Sequence, residues 1–184
     1  NIRGIALGLG GVAGGDDLRG IFVGGFGVGT GKDIRGITFA GFGVGAGENI
    51  RGLTFGGIGI GAGNDLSGIQ IAGIGLGAGN QLKGLSIAGI GLGAGEEIKG
   101  ISIATAYIKS ENKISGISIV PGYLRAQNYK GLAIAGYART YEMTGVSIAL
   151  FNYTEKLKGV QIGLLNYAGN NKKGSRLWPF VNIH

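Results

Sequence analysis

Eleven glycines recur along the chain with a polar or basic residue before each and an aliphatic one after it: Gly4, Gly20, Gly36, Gly52, Gly68, Gly84, Gly100, Gly116, Gly131, Gly145 and Gly159. The intervals between them are 16 residues seven times, then 15, 14 and 14. A fixed period in this range marks a repeat architecture, in which each unit buries its surface only against its neighbours. Typical units read IRGITFAGFGVGAGEN and LKGLSIAGIGLGAGEE.

Each unit alternates in short runs. Counting from the marker glycine, apolar residues stand at +1 and +3 (Ile37 and Phe39, Ile69 and Ile71, Leu85 and Ile87) and at +6 and +8 (Phe42 and Val44, Ile74 and Leu76, Ile90 and Leu92). A further one stands two residues before the next marker, as at Ile50, Leu82 and Ile98. A period of two marks a strand. Parity changes between +3 and +6, so the chain must turn at Ala40-Gly41, Ala72-Gly73 or Ala88-Gly89 for both pairs to face one core. A polar turn closes each unit at Asp16-Asp17, Lys32-Asp33, Glu48-Asn49, Asn64-Asp65, Asn80-Gln81 and Glu96-Glu97.

The pattern predicts an all-β fold, a parallel β-solenoid of about eleven coils of 14–16 residues, with stacked Ile, Leu, Val and Phe as its core. Coils about 4.8 Å apart would make a rod of roughly 50 Å. Residues 1–116 form the Gly-rich part, 117–173 continue the same domain in shorter coils, and 174–184, with Trp178, Pro179 and Phe180, form a non-repeating C-terminal cap. The competing architecture is a 12-stranded transmembrane β-barrel. It fits less well, because the turns all look alike and a continuous strand over residues 37–46 would leave no polar lumen.

Composition narrows the classes further. With 43 Gly among 184 residues but 2 Pro and no three-residue period, the chain is not collagen-like, and 44% hydrophobic residues against 15% charged exclude disorder. There is no Cys, hence no disulfide framework and no thiolate chemistry. The net charge of +7 is uneven: residues 1–116 hold nine Lys/Arg against eight Asp/Glu, and residues 117–184 eight against two.

The last units, GVSIALFNYTEKLK and GVQIGLLNYAGNNKK, with the close WPFVNIH, resemble bacterial surface repeat proteins of the leptospiral and Bacteroidota type. Those carry tandem G-[LVF]-[QS]-[IL]-G-L-[ILV]-N units, and the match is best over residues 145–184. The resemblance implies export to the bacterial cell envelope or surface, often as a lipoprotein, with no activity attached.

Motifs for chemistry are weak. Gly25 to Lys32 (GFGVGTGK) has the look of a phosphate loop, but Phe26 stands where its first glycine should be and Asp33 where the metal-binding hydroxyl should be. His184 has no partner, and the acidic pairs Asp16-Asp17 and Glu96-Glu97 belong to repeated turns. No catalytic residue, metal ligand or cofactor is expected, and no small-molecule substrate.

Three ladders are candidates for interaction. The residues before the markers form a basic one (Arg3, Arg19, Arg35, Arg51, Lys83, Lys99, Lys130, Lys158), with Asp17, Asp33, Asp65 and Glu97 placed to balance it. The +2 residues Thr38, Thr54, Gln70, Ser86, Ser102, Ser118, Ser147 and Gln161 read as an outward polar ladder, too irregular for ice binding. The second strand shows an almost bare face of Gly41, Gly43, Gly45, Gly57, Gly59, Gly61, Gly73, Gly75, Gly77, Gly89, Gly91 and Gly93, a candidate for packing against a partner or another copy. A polyanion surface, for lipopolysaccharide or nucleic acid, is the alternative; it would use Arg125, Lys130, Arg139, Lys156, Lys158, Lys172, Lys173 and Arg176. The expected function is that of a non-enzymatic structural or interaction repeat protein whose partner is a protein or a copy of itself. Nucleic acid is not the expected partner.

Overall fold

A computed structural model describes all residues, 1–184. The chain is a parallel β-solenoid. The first coils contribute β1 (Ile2–Gly8), β2 (Gly11–Gly14), β3 (Leu18–Gly24), β4 (Gly27–Thr30), β5 (Ile34–Ala40) and β6 (Gly43–Ala46). The middle coils add β7 (Asn49–Gly56), β8 (Gly59–Ala62), β9 (Asp65–Ala72), β10 (Gly75–Ala78), β11 (Gln81–Ala88) and β12 (Gly91–Ala94). Then follow β13 (Glu97–Ile103), β14 (Tyr107–Ser110), the long β15 (Lys113–Ala168) and the terminal β16 (Leu177–Ile183).

Odd-numbered strands stack on one side and even-numbered ones on the other, and both stacks run into β15. Equivalent residues pair across coils: Ile34 with Ile50, Ile50 with Leu66, Val44 with Ile60. These ladders are parallel, whereas neighbouring strands of an up-and-down barrel are antiparallel, so the barrel alternative is set aside. The coil count also changes. Seven separate strand pairs precede β15, and the strands define about 8 turns rather than eleven. The shorter units after Gly116 keep extended backbone through their bends while still coiling, with Gly131, Gly145 and Gly159 each over the marker of the unit before.

The marker glycines are fixed by geometry. All eleven have positive φ, as in Gly36 at 126°, a region that side-chain-bearing residues rarely enter. A Cβ on Gly36 would also collide with the carbonyl oxygen of Gly20 directly below. The bends are in register too: Phe42 N donates to Phe26 O at 2.8 Å and Glu48 N to Lys32 O at 3.0 Å.

The core differs from the sequence expectation. The residues two before each marker are buried (Leu18, Ile34, Ile50, Leu66, Leu82, Ile98), as are those at +8 (Val44, Ile60, Leu76, Leu92). Ala40, Ala72 and Ala88 complete the interior. The +1, +3 and +6 residues do not: Ile37 is 37% exposed, Phe39 40% and Phe42 52%. The supposedly outward polar ladder points inward instead, with Thr38 and Gln70 at 0% exposure. Strand alternation explains both results. The residues at −2, +2 and +4 share one face, and once the large residue at −2 and the small Ala at +4 point inward, +2 must follow them and +1 and +3 must point out.

Candidate functional site

Two outward faces carry the side chains available to a partner. On the long strands, Ile21 and Val23, Ile37 and Phe39, and Leu53 and Phe55 stack coil upon coil. Phe39 and Phe55 lie 6.2 Å apart, and at the bend Phe26 stacks on Phe42 at 5.4 Å. Ile69, Ile101 and Ile117 continue the apolar stripe. Hydrophobicity predicts these residues for the core; the unbroken parity linking Ile34, Thr38 and Ala40 is the signal in the sequence that places them outside.

The basic ladder borders this stripe. Arg19 pairs with Asp17 at 2.8 Å and Arg35 with Asp33 at 2.6 Å, so the acids do interleave in the early coils. Burial raises the Asp33 carboxyl's pKa, but hydrogen bonds from Asn49 and Arg35 and the charges of Arg35 and Arg51 outweigh that and leave it below the ordinary carboxylate value. Lys158 pairs with Glu142 at 2.6 Å.

The glycine face divides in two. Gly45, Gly61, Gly77 and Gly93 face open space on the short strands, and Gly43, Gly59 and Gly75 lie beside them in the same strands. Gly41, Gly57, Gly73 and Gly89 belong to the bends instead, where a Cβ would strike the carbonyl oxygen of the bend in the coil before. The ring of Tyr107 lies over Gly91 and closes the bare stretch.

Beyond that point the same face becomes charged and aromatic. Gly93 pairs with Lys109, and Lys109 with Arg125. Tyr123 stacks on Tyr137 at 5.5 Å, and Tyr153 on Tyr167 at 4.8 Å. The Arg139 guanidinium sits 5.8 Å from the centre of the Tyr153 ring, and Lys156 Nζ 5.4 Å from that of Tyr141. Arg125 and Arg139 line a cleft of about 570 Å³ together with Lys109, which the sequence reading did not select. The other predicted cations lie elsewhere: Lys130 and Lys158 stand before marker glycines, while Lys172, Lys173 and Arg176 belong to the turn before β16.

Inside the last coils the repeated Asn has a structural role. Ser147 Oγ donates to Asn152 Oδ1 at 2.5 Å, Asn152 Nδ2 to Asn166 Oδ1 at 2.8 Å, and Asn166 Nδ2 to Trp178 O at 3.2 Å. The ladder ends on β16, which pairs antiparallel with Val160–Tyr167 and lies along the last rung. Beside it Ile134, Ile148, Ile162, Leu164, Phe180 and Val181 line an apolar groove of about 440 Å³. Comparison of the chain with protein-family models, curated proteins and solved structures finds no match.

Proposed function

We propose that this β-solenoid is a non-enzymatic structural and interaction repeat protein of the bacterial envelope or cell surface, and that its long-strand face is what it offers to partners or to copies of itself. The observation that carries the reading is the inverted polarity of that sheet. Thr38, Thr54 and Gln70 are buried while Ile37, Phe39, Leu53 and Phe55 face outward, so the side chains best suited to a core line the surface. A continuous exposed apolar patch of this kind marks an interaction site, since monomeric soluble proteins seldom leave one uncovered. The envelope setting draws on the likeness of residues 145–184 to bacterial surface repeats.

Light scattering over a concentration series, without and with mild detergent, tests the proposal. The natural chain is expected to gain mass with concentration or to need detergent, and the double variant Leu53→Lys, Phe55→Lys to stay monomeric without it. A natural chain that is a detergent-free monomer at every concentration would overturn self-association through this face.

A further inference from the structure

The short-strand sheet carries a second site, chemically unlike the apolar face and independent of the function proposed for it. Over the Gly-rich coils this sheet is bare; at Lys109 and Arg125 it gains cations in register, one rung or about 4.8 Å apart. The Tyr123–Tyr137 stack aligns the next coil, so that Arg139, two residues after Tyr137, joins Arg125, two residues after Tyr123, in one cleft. Six ion pairs form in the molecule and none involves Arg125 or Arg139. Two unpaired guanidiniums therefore converge in a cavity of about 570 Å³.

The rest of the lining restricts what could neutralise them. The exposed Tyr141 supplies a ring surface, while the Tyr153 ring lies between Arg139 and Tyr167 and its hydroxyl donates to Glu155. Glu111 and Glu155 line the same cleft, and Lys109 lies 3.9 Å from Glu111. A long phosphate chain crossing the cleft would meet these carboxylates. A sugar ring would not suffer from them: its hydroxyls donate to carboxylates, its C–H face packs on tyrosine, and an acid group on it accepts from the arginine forks.

We propose that this cleft binds a short acidic saccharide, with Arg125 and Arg139 gripping its carboxylate and Tyr141 packing against its ring. Calorimetric titration with trigalacturonate, with neutral galactotriose and with a thymidine hexanucleotide tests this on the full chain. Trigalacturonate is expected to give saturable binding and galactotriose none. Arg125→Ala and Arg139→Ala should each weaken binding roughly ten-fold, the loss expected for a charge-assisted pair, and Arg139→Lys less. Lys99→Ala, far from the cleft, should change it less than about two-fold, as a remote surface charge does. Circular dichroism of each variant establishes that it has folded. No saturable heat with trigalacturonate, equal binding of galactotriose, tighter binding of the hexanucleotide, or an equal loss in Lys99→Ala would each overturn the assignment.

Discussion

At the residue scale the buried polar ladder carries an energetic cost. Thr38 Oγ1, Thr54 Oγ1 and both amide atoms of Gln70 are buried without a hydrogen-bond partner in the protein, and an unsatisfied buried polar atom costs about 1–3 kcal/mol. Thr54→Val keeps the shape and removes the hydroxyl, so urea denaturation is expected to show a gain of roughly 1 kcal/mol. Glycines should separate sharply by position. Gly84→Ala places a side chain at a φ of 106° and against the carbonyl of Gly68, and should cost about 1–3 kcal/mol from backbone strain alone. Gly77→Ala, which meets nothing, should stay within about 0.5 kcal/mol. Tyr129 gives a pH signature. Burial pushes its phenol up to about 12, while its hydroxyl donates to Leu132 O at 2.6 Å. A phenol raised in the folded state stabilises below the unfolded pKa of about 10 and loses that contribution as pH climbs toward the folded value. Tyr129→Phe should therefore flatten the fall in melting temperature above pH 10.

At the scale of the element, the two long-strand faces exchange the roles that hydrophobicity alone would give them. The period of two was legible in the sequence, and so were the strands, the bends at Ala40-Gly41 and the in-register stacking of equal residues. Which face turned inward was not. Hydrophobicity favoured Ile37 and Phe39, but the large residues at −2, such as Ile34 and Ile50, take the interior, and strand alternation then carries the +2 position inward whether it holds Thr38, Gln70 or Phe22. The cleft was half legible for a similar reason. Arg125 and Arg139 stand out in the sequence as unbalanced cations, but Lys109 lies within the charge-balanced first 116 residues, and only the rung register joins it to Arg125. Leu66→Ala, at the fully buried −2 position of β9, should cost about 2–5 kcal/mol. Because each coil touches only its neighbours, hydrogen exchange should show the loss centred on β7, β9 and β11 and fading toward β16.

On the scale of the whole molecule, a rod of parallel coils has two long outer sheets and two ends, and the sequence treats them differently. The last rung is covered by β16, the long-strand sheet is apolar, and the short-strand sheet passes from bare glycine to a tyrosine-lined cationic cleft. All of this depends on which residues face outward, and that can be read directly because the chain has no cysteine of its own. Single cysteines placed at Leu53, Thr54 and Phe55 and labelled with a small maleimide in dilute, monomeric solution provide the measurement. The structure requires fast labelling at 53 and 55 and slow labelling at 54, where the native residue is 1% exposed. Fast labelling at 54 with protection at 53 and 55 would contradict it and return the apolar ladder to the core.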